Sequence, residues 1–534
     1  MDEFPALAHL REAFAECQAA VQRLTVEQTA QGLALALELR AFFYMASAIA
    51  AHRRWEHAQA ATLLQVLPAE VLSTILSQLE DCRDLARLAA TCRLLWCDAP
   101  AAPSRLIGLV EAELRRRAEA RRLDVGSSLP EGAASWVPYL LKRELCDVWR
   151  RHAPLAAGVH NSAFVDREGR LLTCGKVAAL GHGSDVDRIG PPKLVPSMMD
   201  RRIVSISGSV FHCLALDAEG EVYSWGRGRS GVLGHGDEND RAVPSRIASL
   251  KLVESITAGD RSAAIDERGR LFTWGQARCN AYMHIHGDGG DIPTSLGYAI
   301  DPHTGIQSTP GRVDALSQDR VVGVALGIFF TLAVNDAGAV FSFGHGPLGA
   351  LGHGSLESEV LPRRIEALAQ TGRRFVAVAA GTSHALALTE GGELYGWGIW
   401  SGHGQAGAHH EAHTPKLVTT LIGVRIKLVY ASACSSCAVT ETGEIYTWGG
   451  NHRCRHLGHG GWDEQQLVPR RVERLSSVRV AAVALGVAHM LVADEDGGAW
   501  ACGSCLGLDE SGVFQSDDVR EPTLIPTLRV RTRY

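Results

Sequence analysis

Beyond about Ala153 the chain is built of short runs in which polar and apolar residues alternate, separated by turns rich in glycine and acidic residues. A period of two over four to eight residues predicts β-strands. Before Arg151 the pattern differs: Ala, Leu, Arg and Glu dominate, internal glycines are few, and apolar residues recur at helical spacing. The expectation is an α-helical N-terminal region followed by an all-β region, with the switch of period near residue 152.

The strand region repeats. Seven phrases, DREGRLLTCG, DAEGEVYSWG, DERGRLFTWG, NDAGAVFSFG, TEGGELYGWG, TETGEIYTWG and DEDGGAWACG, close on Gly175, Gly226, Gly275, Gly344, Gly398, Gly449 and Gly503, at steps of 51, 49, 69, 54, 51 and 54 residues. Such a period implies stacked units, none of which can bury its apolar face alone. Ahead of each phrase comes a strand such as HCLALD (His212–Asp217) or HALALT (His384–Thr389), and ahead of that a small-residue corner: ITAG at Ile256, VALG at Val324, VAAG at Val378 and VALG at Val483. Within the phrases, EVYSWG (221–226) reads as a half-buried strand. LGHG-like loops follow at Leu180, Leu233, Leu351 and Leu457, and then Pro196, Pro244, Pro310, Pro362, Pro415 and Pro469. Proline cannot donate to a ladder, so these positions are expected at an edge or in a loop.

These residues carry a resemblance. VAAGTSHALALTEGGELYGWG and YSWGRGRSGVLGHGD resemble repeats of the regulator of chromosome condensation family, which implies a seven-bladed β-propeller over residues 153–534. The last unit has Pro522 and Pro526 but no corner after them, whereas LAAGVHNSAFVD (155–166) is a corner and strand ahead of the first phrase. The expectation is that 155–166 complete the blade begun at the C-terminus and so close the ring.

In the helical region, Leu67, Val71, Leu72, Ile75, Leu76 and Leu79 form an apolar stripe after Pro68, a residue suited to a first helical turn. Asp81 or Asp84 can cap a second helix, with the stripe Leu85, Leu88, Ala89, Cys92 and Leu95. The wording LPAEVLSTILSQLEDCRDLARLAATCRLLW (67–96) resembles an F-box, the motif by which substrate receptors dock onto a Skp-type adaptor in cullin-based ubiquitin ligases. That resemblance implies adaptor contacts at Leu67, Pro68, Glu70, Val71, Leu72, Ile75, Leu76, Leu85 and Leu88. The domain reading is an N-terminal helical segment over 1–62, the F-box over 63–110, a helical linker over 111–152 and the propeller over 153–534.

Composition narrows the function classes. Net charge is −6 with both signs interspersed, which argues against nucleic acid as the main partner. Leu33–Ala50 is apolar enough to raise a membrane span, but Glu38 and Arg40 inside it favour a buried or partner-facing helix. Thirteen cysteines, an odd number with no signal peptide ahead of them, point to free thiols in a reducing compartment, cytoplasmic or nuclear. The F-box resemblance requires a eukaryotic ubiquitin system, the cell's own or that of a host.

No metal, cofactor or catalytic site is expected. His182, His235, His353 and His459 recur at one repeat position, which fits a repeated structural hydrogen bond better than convergent metal ligands. Cys434 with Cys437 and Cys502 with Cys505 lie at a spacing that sends strand side chains to opposite faces, so core thiols are expected. Trp225, Trp274, Trp397 and Trp448 share one position and read as packing.

The third unit alone is irregular. Closing glycine and proline lie 35 residues apart there, against 21, 18, 18, 17 and 20 in the other five. The insertion within 276–309 is the candidate partner loop, with Tyr282, His284, His286, Asp288 and Asp291 as its contact residues. The function read from all this is a substrate-recognition subunit of a ubiquitin ligase, the F-box binding the adaptor and the propeller an unknown target protein. The alternatives are a chromatin or scaffold binder and a guanine-nucleotide exchange factor; the founding propeller of the resembled family is such an exchange factor and uses an insertion in its third blade.

Overall fold

The computed structural model describes most residues from 153 to 532, with gaps at 160, 177–179, 184–185, 187, 277–294, 301–304, 400–403, 405–411, 451–455, 461–464 and 504–518; N-terminal to these it describes only positions 112 and 116. The chain divides into two compact units, Met1–Val148 and Trp149–Tyr534. The residues expected to contact an adaptor, Leu67 to Leu88, and those expected to contact a partner, Tyr282, His284, His286, Asp288 and Asp291, all lie outside the described residues.

The second unit is seven four-stranded antiparallel sheets, spanning 155–194, 203–246, 253–312, 321–364, 375–417, 426–471 and 480–529. Each is a meander in strict chain order, as expected of a propeller blade. The seven phrases are the turn and third strand of each blade, and the small-residue corners end the innermost strands.

The second strands of the first six blades are buried along their whole length, and that of the seventh up to Asp494, because blades pack on neighbours at both faces. The apolar clusters accordingly lie between blades: Val165 and Leu171 of the first pack with Ile203, Cys213 and Trp225 of the second. This corrects the half-buried reading of EVYSWG. Val222–Gly226 is buried throughout, and its polar Ser224 is satisfied internally rather than by solvent.

Sequence chemistry fixes the turns. In all seven, the residue ending the second strand accepts a backbone N–H four residues on: Asp166, Asp217, Asp266, Asn335, Thr389, Thr440 and Asp494, at 2.7 to 3.0 Å. Short polar side chains do this because they mimic a backbone acceptor. The closing glycines adopt left-handed φ; at Gly398 (φ 101°) a Cβ would sit 2.3 Å from the Ser383 carbonyl, so no other residue fits. Six outermost strands contain a proline at the expected edge, but Pro196 instead starts a short 3-10 helix, and Pro192 is the edge proline of the first blade.

Ring closure differs from the expectation. The last blade is complete from its own four strands, and residues 155–165 belong to the first, where Asn161–Val165 pairs with Leu171–Lys176 across the tight turn capped by Asp166. A turn that short forces its flanking strands together, so the phrase and the strand before it cannot be assigned to different sheets.

The two ends nevertheless meet. In blades two to seven the first inner-strand residue pairs with the turn-capping residue, as in Ile203 with Asp217 or Val480 with Asp494. In blade one Val530 takes that place, bridging Asp166, and Arg531 N donates to Val165 O at 2.8 Å. Val530 N also donates to Gly497 O at 2.9 Å, the bond that Ile426 N makes to Gly392 O. The first blade's inner strand is therefore composite: Leu155–Ala157 supply one half and the C-terminal residues the other.

Candidate protein-interaction face

The meander sorts the connections. Corners between first and second strands and loops between third and fourth strands project at one end of the ring. The tight turns and the crossings to the next blade project at the other. The chain enters at Ala153–Pro154, where the first inner strand begins, on the turn end, whereas Gln276 and Ile306, the strand ends that flank the insertion, lie at the loop end.

The turn end is regular and closed off by local ion pairs: Arg201 with Glu221 at 3.2 Å, Arg373 with Glu393 at 3.1 Å, Arg374 with Glu390 at 3.3 Å and Arg479 with Glu495 at 3.7 Å. These are largely exposed and contribute little stability.

Below the loop end, two sets of histidines hold the scaffold. In the LGHG loops, Thr173, Ser224, Ser342 and Thr447 each donate their hydroxyl to the loop leucine carbonyl, at 2.6 to 2.7 Å. Each also meets a histidine Nε2, of His182, His235, His353 and His459, at 2.9 to 3.0 Å. A hydroxyl has one proton to give, so the imidazole is the donor in the second bond. Burial, helped by Lys193, Arg241 and Arg363 nearby, lowers the pKa of His182, His235 and His353. The expected repeated structural hydrogen bond is thus present. The third repeat substitutes Tyr298, whose hydroxyl donates to Thr273 O at 2.6 Å.

The second set was missed by sequence reasoning. His212, His384 and His489 begin second strands and bond across to the next blade: to Ser262 at 2.8 Å, Ser436 at 2.8 Å and Ser162 at 2.9 Å. Arg261 fills the equivalent place in blade three and donates to the carbonyls of Gly327, Ile328 and Phe330 at 2.8 to 3.0 Å. The signal was present as a histidine heading HCLALD, HALALT and HMLVAD, with serine one position into the following repeat.

Trp225, Trp274, Trp397 and Trp448 are wholly buried. Trp274 Nε1 donates to Val232 O and Trp397 Nε1 to Ala350 O, both at 2.8 Å, each tying one blade to the one before. Cys437 and Cys502 are buried free thiols, and Cys174 and Cys213, also buried, have pKa values pushed up to about 12 by desolvation. Cys505 lies outside the described residues. Among the described residues no three metal-capable side chains converge, and no helix is long and apolar enough to cross a membrane.

At the loop end itself, Phe211 stands 51% exposed on the second corner, with the Arg227 guanidinium 5.4 Å from its ring centroid. Val487 of the seventh corner and Leu356 of the fourth loop are exposed as well, and Phe329 meets His345 edge-on at 5.9 Å. The arrangement offers apolar and cationic groups that can bind a partner.

Fold and surface together define a repeat propeller that serves as a protein-interaction platform. The chain belongs to the family of regulator of chromosome condensation (RCC1) repeat proteins: that repeat matches residues 219–265, 337–388 and 442–493, and a second description of it matches 203–232 and 375–405. The mitochondrial RCC1 domain-containing protein RUG3 of Arabidopsis thaliana is 30% identical over 345 residues, 62% of this chain and 74% of that protein. The ultraviolet-B receptor UVR8 of the same plant is 32% identical, over 56% of this chain and 64% of its own length. The human E3 ubiquitin-protein ligase HERC2 is 33% identical over 64% of this chain but only 7% of itself. Yeast RCC1 (Prp20), solved bound to Kap60, superposes with a TM-score of 0.56 at 23% identity, covering 75% of this chain and 90% of that one. Residues 64–98 match the F-box-like family, a span holding all nine residues from Leu67 to Leu88 expected to contact an adaptor.

Proposed function

We propose that the protein is the substrate-recognition subunit of a Skp/cullin/F-box ubiquitin ligase, acting in the cytoplasm or nucleus, in which the F-box binds the adaptor and the propeller holds the target. The observation that carries this reading is the union, in one chain, of an F-box-like segment at 64–98 with a complete seven-bladed interaction platform. The similarity to part of an E3 ubiquitin-protein ligase supports it. A small helical module leaves apolar anchors such as Leu67, Pro68 and Leu76 for a partner to cover.

The test is affinity purification of the full-length protein beside the Leu67→Ala, Pro68→Ala double variant, with adaptor and cullin quantified by mass spectrometry. Loss of two hot-spot anchors should lower adaptor recovery about tenfold or more. Equal recovery by both proteins would overturn the docking reading. Acceleration of nucleotide release from a small GTPase by the full-length protein would instead favour the exchange-factor reading.

A further inference from the structure

The loop end carries one group of side chains built differently from the rest of the surface. Among the described residues Phe211 is the one aromatic side chain that stands mainly in solvent, at 51% exposure. It is not loose: Ser209 Oγ accepts from Phe211 N at 3.3 Å and from His212 N at 3.2 Å, and His212 is itself clasped to the next blade. Arg227 N donates to Phe211 O at 2.9 Å, so the guanidinium stacked on the ring is anchored through its own backbone. Arg229 follows on the same loop, also exposed.

The carboxylates of that loop are otherwise engaged. Asp237 pairs with Arg241 at 3.0 Å, which holds its carboxyl far below the usual range. Glu238 caps Ser230 N at 2.9 Å and Asp240 caps Gly228 N at 2.8 Å. Neither Arg227 nor Arg229 has an ion-pair partner among the described residues, whereas Arg201, Arg373 and Arg479 of the opposite end are paired.

We infer that Phe211, Arg227 and Arg229 form a preorganised recognition site for an acidic segment of a protein target carrying one large apolar side chain: the apolar group covers Phe211 and its neighbouring carboxylates pair with the two guanidiniums. Aromatic and arginine side chains on a rigid base are the composition of interface hot spots, and their low ordering cost favours affinity. The site lies on the loop end of the ring, where Gln276 and Ile306 end the strands of the third blade that flank the insertion. As the target-holding element this inference rests on the substrate-receptor reading, although the binding chemistry does not.

Fluorescence polarisation of the full-length protein with labelled twelve-residue peptides tests it. The probes are one leucine flanked by glutamates, the same peptide with alanine for leucine, the same with lysines for glutamates, and a single-stranded oligonucleotide of matching charge. The leucine–glutamate peptide should bind best, weakening about tenfold or more in Phe211→Ala and in the Arg227→Glu, Arg229→Glu variant. Both variants should keep the melting temperature of the parent, since the altered side chains point into solvent. Equal binding of the glutamate and lysine peptides, unchanged affinity in both variants, or oligonucleotide binding that is tighter and indifferent to Phe211→Ala would each overturn the inference. The Leu67→Ala, Pro68→Ala variant should keep full peptide affinity. If the parent recovers no adaptor yet binds the peptide through these residues, the receptor reading fails and the site stands.

Discussion

His212 is enclosed between the second and third blades, and its two ring nitrogens have different tasks. Ser262 gives its hydroxyl proton to Val232 O at 2.8 Å, so Nε2 must donate to Ser262, while Nδ1 lies 2.9 Å from Ser209 Oγ, whose one proton also reaches His212 O at 3.1 Å. The ring is almost wholly buried, which favours its neutral form. Burial pushes its pKa down to about 4, below the usual value near ~6.5. The unfolded chain therefore takes up a proton first, and this contribution to stability is complete above about pH 6.5 and declines as pH falls through 4. Urea midpoints measured from pH 7 to pH 4 should fall, and His212→Ala should flatten that dependence while costing about 1–3 kcal/mol at neutral pH. A variant with the parent's acid sensitivity would refute the role given to this ring. The LGHG histidines were legible in the sequence because four copies align on one position. The inter-blade histidines were not, because their partner lies a whole repeat away and only the ring brings the two together.

At the scale of the strand, repetition made the fold readable and also produced the misassignment of 155–166. A cyclic repeat reads the same wherever its boundary is drawn, so placing the boundary at the turn glycine detached 155–166 from the phrase it belongs to. What decides the matter is the four-residue turn at Asp166, a local constraint, and the bridge from Asp166 to Val530, which no periodicity reveals. Val530 is wholly buried and Arg531 nearly so, with its guanidinium donating to Ile203 O at 3.3 Å. Ending the chain after Arg529 removes these contacts and the two backbone bonds of Val530 and Arg531. Allowing about 1 kcal/mol for each of these three hydrogen bonds and about 2 for the valine, the loss should be on the order of 5 kcal/mol. Hydrogen exchange should locate it at the junction of the seventh and first blades, with the other junctions little changed. Uniform loss of protection around the ring, or none at all, would contradict the composite strand.

Seen whole, the second unit is a ring whose stability is shared among seven similar junctions, and this sets what can be altered without harm. The insertion in the third loop leaves from Gln276 and returns near Ser295, where Ser295 O already accepts from Thr331 and Leu296 O from Thr273. Those bonds fix the loop's base, so the length of chain beyond it affects closure entropy only weakly, by about 0.6 kcal/mol per doubling. Replacing 278–293 with a short Gly-Ser linker should therefore leave the melting temperature within a few degrees of the parent. If the loop end is the target-holding face, the same replacement should reduce capture of a target that binds through Phe211 and Arg227, while adaptor recovery through 64–98 stays constant. Combined with Leu67→Ala and Pro68→Ala, the two losses should be independent, because the altered residues belong to separate compact units. Quantifying target and adaptor in the four proteins of this cycle checks the claim: a loop replacement that lowers adaptor recovery as well would mean that the two ends of the chain do not act separately.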